Sequence, residues 1–495
     1  MANVDSGGAV ETNSMESSSE HSGSLPSSRH ERQKVIGPLE WEGPNDPANP
    51  WNWPASKRWY GTIVPGSLCF LVTFASSVYV PGVREVAAKF DVSVTVALLG
   101  ISMYVVGLGL GPMFSAPLSE VFGRKMVYFV NLPIFLLFTM GAGLAQNIQT
   151  LVICRMFSGI FGGPAVAVSA GSFVDVWDLK SSGLAVSVQA IASFMGPALG
   201  PIIGGYLAEY EGWRWTLWII IILGGALMVP LYFMEESYKP VILKRRALAR
   251  GEELPPKPDP KTALKLIFTI TLARPIMMLL EEPIVQAVAL YSSFAFAVLF
   301  GFFEAYPVAF QKEYGFALGE TGLCFLGVAG GLIIGCIIYL IQDRLVYVPA
   351  LKKYGGSPPA EIRLVSAMIG SFLMPIGLFW FAWTARKDVH WIFPVLAGVP
   401  FGSGLVLIFL TAIMYILEVY PPLVAASAIA ALGLLRYLMA MAFPLFTVQM
   451  YDSLGIAWGT SLFGFIALAM APIPWAFQRW GPQIRAMSRY NAIVE

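Results

Sequence analysis

Charge is scarce in this sequence. Only 13% of its 495 residues are Asp, Glu, Lys or Arg, against about 25% in soluble globular proteins. The 32 basic and 31 acidic side chains leave a net charge of +1, so nothing marks a nucleic-acid partner. Histidine is nearly absent. His21 and His30 lie in the N-terminal region and His390 in a short loop, which argues against a His-based metal site. Cys69, Cys154, Cys324 and Cys336 sit singly in apolar blocks, at no short metal-ligand spacing. They read as small packing residues rather than a disulfide framework. No GxxxxGK[ST] phosphate loop is present to use ATP. No His cluster and no nucleophile with a base marks a membrane enzyme, and no cofactor is expected.

What remains is hydrophobic sequence in long, regularly spaced blocks, 56% of the chain. Blocks such as 63–80, 126–145 and 216–233 are about the length of a bilayer-spanning helix. They lack the polar face of a soluble helix. Twelve spans are expected, near 59–81, 95–117, 126–146, 150–174, 183–208, 215–234, 284–307, 319–341, 364–384, 391–417, 423–447 and 456–477. The fold class is therefore all-α membrane protein, with twelve transmembrane helices in two six-helix halves, 59–234 and 284–477. A basic, proline-containing loop, 235–283, joins them. Residues 1–58 lack the apolar core of a signal peptide and read as a disordered tail. A second tail spans 478–495. With the N-terminus inside, the tails and even-numbered loops hold 24 of the 32 lysines and arginines, the odd-numbered loops 6, and Arg155 and Arg436 lie within spans. That asymmetry predicts cytoplasmic termini and a cytoplasmic central loop. Six spans plus six suit a transporter whose cavity lies between its halves near the midplane.

Three segments carry the sharper signals. The loop after span 2 reads Ala116-Pro-Leu-Ser-Glu-Val-Phe-Gly-Arg-Lys125. Gly123 permits a tight turn there, and Glu120, Arg124 and Lys125 can make charge-assisted contacts that latch helices. Arg155 lies inside span 4, where a guanidinium is expensive and stays protonated, so it faces the bundle interior or a wet cavity. Span 5 holds Gly196-Pro-Ala-Leu-Gly-Pro-Ile-Ile-Gly-Gly205. Gly196, Gly200 and Gly204 make one smooth helical face, while Pro197 and Pro201 each remove a backbone donor.

The loop resembles the signature Gly-x-Leu-x-Asp-x-x-Gly-Arg-Lys of the major facilitator superfamily, with Ala116 and Glu120 as departures. The span 5 run resembles the motif Gly-x-x-x-Gly-Pro-x-x-Gly-Gly of its twelve-span drug:H+ antiporters. The stretches 49–54, 235–240, 281–283, 302–307, 443–446, 450–451, 472–474 and 488–490 are similar to the fungal branch of that family, which includes multidrug and polyamine exporters. The likeness runs from about residue 45 to 490. It implies that the loop gates the conformational switch, that Arg155 takes part in proton coupling, and that the span 5 motif biases the cycle against leak. Asp175 would join the gating loop. Asp178 and Lys180 follow it, but Ser182-Gly183 stands where the family often has Arg-Gly.

Other deep charges are Glu304, Glu418 and Arg436. Glu304 is the candidate proton carrier, with a structural ion pair as the alternative. A pairing of Arg155 with Glu304 is one possible arrangement. Glu418 reads as a solvated helix end, and the role of Arg436 is open. Tyr104, Gln189 and Ser193 in the first half, and Tyr291, Phe303, Tyr306 and Tyr415 in the second, suit a cavity for amphipathic organic molecules, with Arg436 beside them. One convincing deep carboxylate against two arginines disfavours a dedicated polyamine carrier. The expected protein is a monomeric proton-coupled antiporter in the bilayer of the plasma membrane, or alternatively the vacuole, exchanging protons for small organic cargo. Its rivals are polyamine export, uptake by symport, and a non-transporting sensor on the same fold.

Overall fold

In a hydrocarbon layer each backbone N–H and C=O must be satisfied within its own segment, so apolar blocks of this length form helices. A computed structural model describes residues 40–177, 182–251, 269, 273–355 and 358–490. The first half comprises α1 (Ala55–Ser77), the short α2 (Val83–Lys89), α3 (Val94–Phe122), α4 (Arg124–Gly143), α5 (Ile148–Val176), α6 (Ser182–Tyr210) and α7 (Trp215–Phe233). The connecting loop holds α8 (Lys239–Ala249) and α9 (Arg274–Glu281). The second half comprises α10 (Pro283–Tyr306), α11 (Leu318–Leu323), α12 (Leu326–Gln342), the short α13 (Val348–Lys353), α14 (Val365–Thr384), α15 (Ile392–Val419) and α16 (Pro422–Met470), followed by α17 (Pro472–Ala486).

Local chemistry sets several ends. Ser93 and Asn147 accept from the backbone N–H of Val96 and Thr150, capping α3 and α5. Among the described residues, eleven stretches are long and apolar enough to cross a membrane, and the last is 63 residues, Val424–Ala486. It turns at Gly455, whose φ is 73°. Beyond the turn the chain folds back, so that Phe463 stacks on Phe443 at 5.3 Å and Thr460 bonds the hydroxyl of Tyr451 at 3.0 Å. That stretch therefore supplies two crossings, and twelve result.

The halves repeat one packing scheme. In the first, α3 meets α5 backbone to backbone: a Cβ on Gly159 would strike the carbonyl of Tyr104, and one on Gly111 that of Ile160. In the second, α12 meets α15 likewise, through Gly327 against the Val395 carbonyl and Gly402 against that of Val328. These are the second and fourth crossings of each half.

The end of the bundle that holds residues 40–54 and α17 is called here the terminal end. Its opposite is the far end. At the terminal end the structure departs from the tails expected of the sequence. Residues 40–54 are folded onto α8, and α1 starts at Ala55. Asp46 accepts from Arg246 Nη1 and Nη2 at 2.8 and 2.9 Å, and from the backbone N–H of Glu42 and Ala48. Trp41 lies under Lys239 and Arg246, and Glu42 pairs with Arg250. At the other terminus Glu282, fully buried, accepts from the Tyr420 hydroxyl and the Arg489 N–H, each at 3.0 Å. Asp46 with Arg246, and Glu282 with Tyr420 and Arg489, thus serve as fasteners. Arg246 and Arg489 lie about 200 residues from their partners, so no local string in the sequence pairs them.

Asp46 titrates at about 2 instead of its ordinary 3.8, chiefly because Arg246 hydrogen-bonds its carboxylate. A depressed carboxylate stabilises the fold fully above its unfolded pKa and loses that contribution as pH falls through its folded one. Wild type should therefore lose stability relative to Asp46→Asn between about pH 4 and 2. An acid titration of the unfolding midpoint of both proteins checks this. Parallel curves would sink it.

Candidate functional site at the seam between the halves

The halves join on two sides. On one side α3 lies against α16 in three rungs. Gly109 packs on Tyr437 near mid-bundle, Ser102 Oγ donates to the Met441 carbonyl at 2.8 Å, and Gln449 Nε2 donates to Thr95 Oγ1 at 2.9 Å toward the far end. On the other side α6 lies against α11 and α12. A Cβ on Gly322 would meet the Pro201 carbonyl, one on Gly205 would lie 2.6 Å from the Leu318 carbonyl, and Glu209 accepts from the Gly319 N–H at 2.8 Å. These contacts all lie between mid-bundle and the far end.

The glycine motif of α6 acquires two faces in space. Gly196, Gly200 and Gly204 press on α1 at Thr73, Ser77 and Val78, whereas Gly205 turns to α11. Pro197 and Pro201 are buried, and the helix continues through both. One helix therefore touches its own half with one small-residue face and the opposite half with another.

The loop motif forms a latch at the terminal end. Gly123 ends α3 with φ 94°, and a Cβ there would collide with the carboxylate of Glu236. That carboxylate accepts the Arg124 and Lys125 N–H groups at 2.9 and 3.2 Å, so it caps α4. Arg124 Nε donates to Asp175 at 3.0 Å, Nη1 to Ser119 Oγ at 2.8 Å, and the guanidinium covers the ring of Tyr238. Lys125 donates to the Tyr232 carbonyl. Glu120 is exposed and enters no ion pair among the described residues. Asp175 and Glu236 do instead what the sequence assigned to Glu120. Asp178 and Lys180 lie outside the described residues, as do the side chains of Ser182 and Gly183.

The second half repeats the latch at the equivalent helix ends. Arg363 binds Asp343 at 2.5 Å and Glu418 at 2.7 Å, over the ring of Tyr347. Glu418 is thus an ion-pair partner rather than a solvated helix end. The signal available in sequence was the repeat itself: Arg124 and Arg363 both open the third crossing of their half.

Arg155 is fully buried and joins α5 to α1 and α3. Its Nη1 donates to the Ala75 carbonyl at 2.9 Å and its Nε to that of Gly100 at 3.2 Å. The guanidinium lies over Tyr104 at 4.4 Å and Tyr79 at 5.0 Å, and the Tyr104 hydroxyl donates to the Val72 carbonyl. It forms no pair with Glu304. Glu304 is half-buried near the far end of α10 and enters no ion pair among the described residues. Arg155→Lys should weaken both carbonyl contacts, since one ammonium lacks the guanidinium's fork. We expect its stability to fall by about 1–3 kcal/mol, read from the thermal midpoint. An unchanged midpoint would refute this.

Of the expected cavity residues, the structure brings Gln189, Ser193 and Arg436 to the seam. Gln189 Nε2 donates to Ser193 Oγ at 3.3 Å, and both touch the Cys69 thiol. Across from them the Arg436 guanidinium lies 4.9 Å from the ring of Phe409, 5.0 Å from Tyr437 and 5.4 Å from Phe296. Phe194 bridges the halves, meeting Phe409 at 4.7 Å and Phe296 at 5.7 Å. The four aromatics were not foreseen, because phenylalanine in an apolar span carries no mark of its facing. Tyr104 serves Arg155 instead. Phe303 and Tyr306 belong to the second half's aromatic core, with Tyr306 stacked on Phe325 at 4.3 Å. Tyr415 packs beside Phe477, away from the seam, and Tyr291 is buried with its hydroxyl unpartnered.

Twelve crossings in two repeated halves, latched at one end and closed on a central seam at the other, define a polytopic membrane protein of the transporter class. The profile of the Major Facilitator Superfamily matches residues 66–444, and the chain belongs to that family. Its relatives include Polyamine transporter 4 of Saccharomyces cerevisiae, 43% identical over 92% of this chain and 73% of its own. The Ascochitine biosynthesis cluster MFS transporter of Didymella fabae is 41% identical over 92% and 89%. A multidrug transporter of Aspergillus fumigatus is 40% identical over 90% and 75%. Among solved structures, the proton:xylose symporter XylE shares the fold with a TM-score of 0.63 at 17% identity, over 86% of this chain and 97% of that one.

Proposed function

We propose that this protein is a proton-coupled antiporter that exports small organic compounds by alternating access. The observation that carries the reading is the double face of α6. The helix bearing the antiporter-like motif is the one that closes the far end against α11, through Gly205, Pro201 and Glu209. Opening that end requires the α6–α11 seam to part while Gly196, Gly200 and Gly204 stay on α1. With cytoplasmic termini, the structure corresponds to a state closed toward the outside. Relatives named for multidrug and biosynthesis-cluster transport support organic cargo. We place the protein in the plasma membrane as a monomer, with segments 59–234 and 284–477 moving as the two halves.

In this reading Glu304, a half-buried carboxylate inside the α10 span, carries the proton. Arg155 acts by holding α1, α3 and α5 together. The Arg124–Asp175 and Arg363–Glu418 latches hold the terminal ends of each half in register. The test uses inverted vesicles with an imposed ΔpH and a panel of organic compounds. Cargo should collapse ΔpH in wild type. Glu304→Gln should abolish that collapse and preserve gradient-free counterflow. Counterflow without proton movement in wild type would eliminate proton coupling. Undiminished collapse in the variant would remove Glu304 from the proton path.

A further inference from the structure

The two arginines inside the spans are treated differently by their surroundings. Arg155 is tied to two backbone carbonyls. Arg436 is not so tied. Its Nε is buried with no hydrogen-bond partner, as is Nη2 of Arg155, but Arg436 donates to no backbone carbonyl and enters no ion pair among the described residues. It sits midway along the first limb of α16, walled by Phe296, Phe409 and Tyr437. Across the seam, Phe194 touches two of those same rings. Beyond Phe194 lies the polar group of Gln189, Ser193 and Cys69. Gln189 Oε1 is likewise buried and unpartnered.

Arg436 is half-buried with its Nε enclosed, and a guanidinium so placed without a counter-charge gains from an anionic partner. Its fork matches a carboxylate with two parallel N–H···O bonds. Aromatic walls beside it suit a flat apolar body. A cationic cargo would meet the same positive charge and be repelled.

We propose that Arg436 is the anchor for an anionic group on the cargo, and that the transported class is amphipathic organic acids carried as carboxylates. The aromatic wall of Phe194, Phe296 and Phe409 takes the apolar body, and Gln189 offers its free acceptor, Oε1, to a donor on the cargo. This deepens the transport reading and rests on it. It also separates the protein from a polyamine carrier, whose cargo is cationic. An inside-negative membrane potential would itself help to expel such an anion.

The test uses the full-length protein in lipid nanodiscs and, in parallel, in sealed vesicles. The probes are naphthoate, the neutral naphthamide of the same shape, and spermidine. Wild type should bind naphthoate at least about tenfold more tightly than naphthamide, a difference that one well-paired charge readily supplies. Arg436→Gln should abolish that preference, and Arg436→Lys should retain part of it. The thermal midpoint of each variant shows that it is folded. If Arg436→Gln unfolds, Gln189→Ala gives a second reading, weakening both probes without altering the acid preference. Equal binding of acid and amide, a preference that survives in folded Arg436→Gln, or binding of spermidine alone would overturn the proposal. In vesicles, counterflow of naphthamide or spermidine without naphthoate would overturn the anion assignment and leave transport standing. Absence of counterflow with every probe, alongside tight naphthoate binding, would overturn the transport reading and leave the anion site standing.

Discussion

Gly200→Leu should be among the most damaging single substitutions in this protein, costing about 3 kcal/mol or more, at the upper edge of what overpacking does in a core. A Cβ at Gly200 would collide with Ser77 Oγ and lie 2.8 Å from the Val78 backbone N. A leucine adds three further carbons to that collision. The obstacle includes backbone, which cannot step aside as a flexible side chain does. Relief requires α6 to leave α1, and α6 is also the helix that meets α11 across the seam. The control is Gly225→Leu in α7, an exposed position where a Cβ would have nothing within 4 Å. Unfolding midpoints in detergent, with counterflow in vesicles, provide the readout. The first variant should lose both stability and exchange, and the second should match wild type. Equal midpoints for the two variants would show that the α1–α6 contact is not as tight as described.

The second large effect is expected at Arg363. Its guanidinium is nearly enclosed and stands between Asp343 and Glu418, so Arg363→Ala leaves two carboxylates without their cation. Breaking a buried pair from one side costs about 3–5 kcal/mol, whereas replacing all the charges together is far milder. Arg363→Met combined with Asp343→Asn and Glu418→Gln should therefore be more stable than Arg363→Ala alone, although it carries three changes. That ordering of thermal midpoints is the check. If the triple variant unfolds earlier than the single one, the cost lies in the ion pairs themselves rather than in stranded charge. Arg124→Ala should be destabilising in the same sense, since it strands Asp175, with a smaller loss because Glu236 keeps its bonds to the backbone of α4.

The two latches also show where sequence reasoning reached and where it stopped. The first was legible because a local string, Gly123-Arg124-Lys125, resembles a known signature. Asp175 was reached through the same resemblance, but Glu236 was not, because it lies 112 residues from Arg124 and nothing in the string selects it over Glu120. The second latch has no such string. It becomes visible only when the repeat of the two halves is laid out in space.

Much of the architecture followed from composition and order alone. Long apolar blocks must become helices in a bilayer because no other local structure satisfies the backbone there. The number of blocks, the long polar interruption after the sixth and the spacing of Gly196, Gly200 and Gly204 then define two halves and one close helix contact. Facing was the work of the tertiary structure. In sequence Arg155 and Arg436 are alike, each a lone cation in an apolar span. Both lie against aromatic rings, and their difference depends on what other helices bring besides: carbonyls from 55 and 80 residues away for Arg155, and only the rings of Phe296 and Phe409 for Arg436. The price of a buried charge is set by its neighbours, and neighbours drawn from separate helices are decided only when those helices pack.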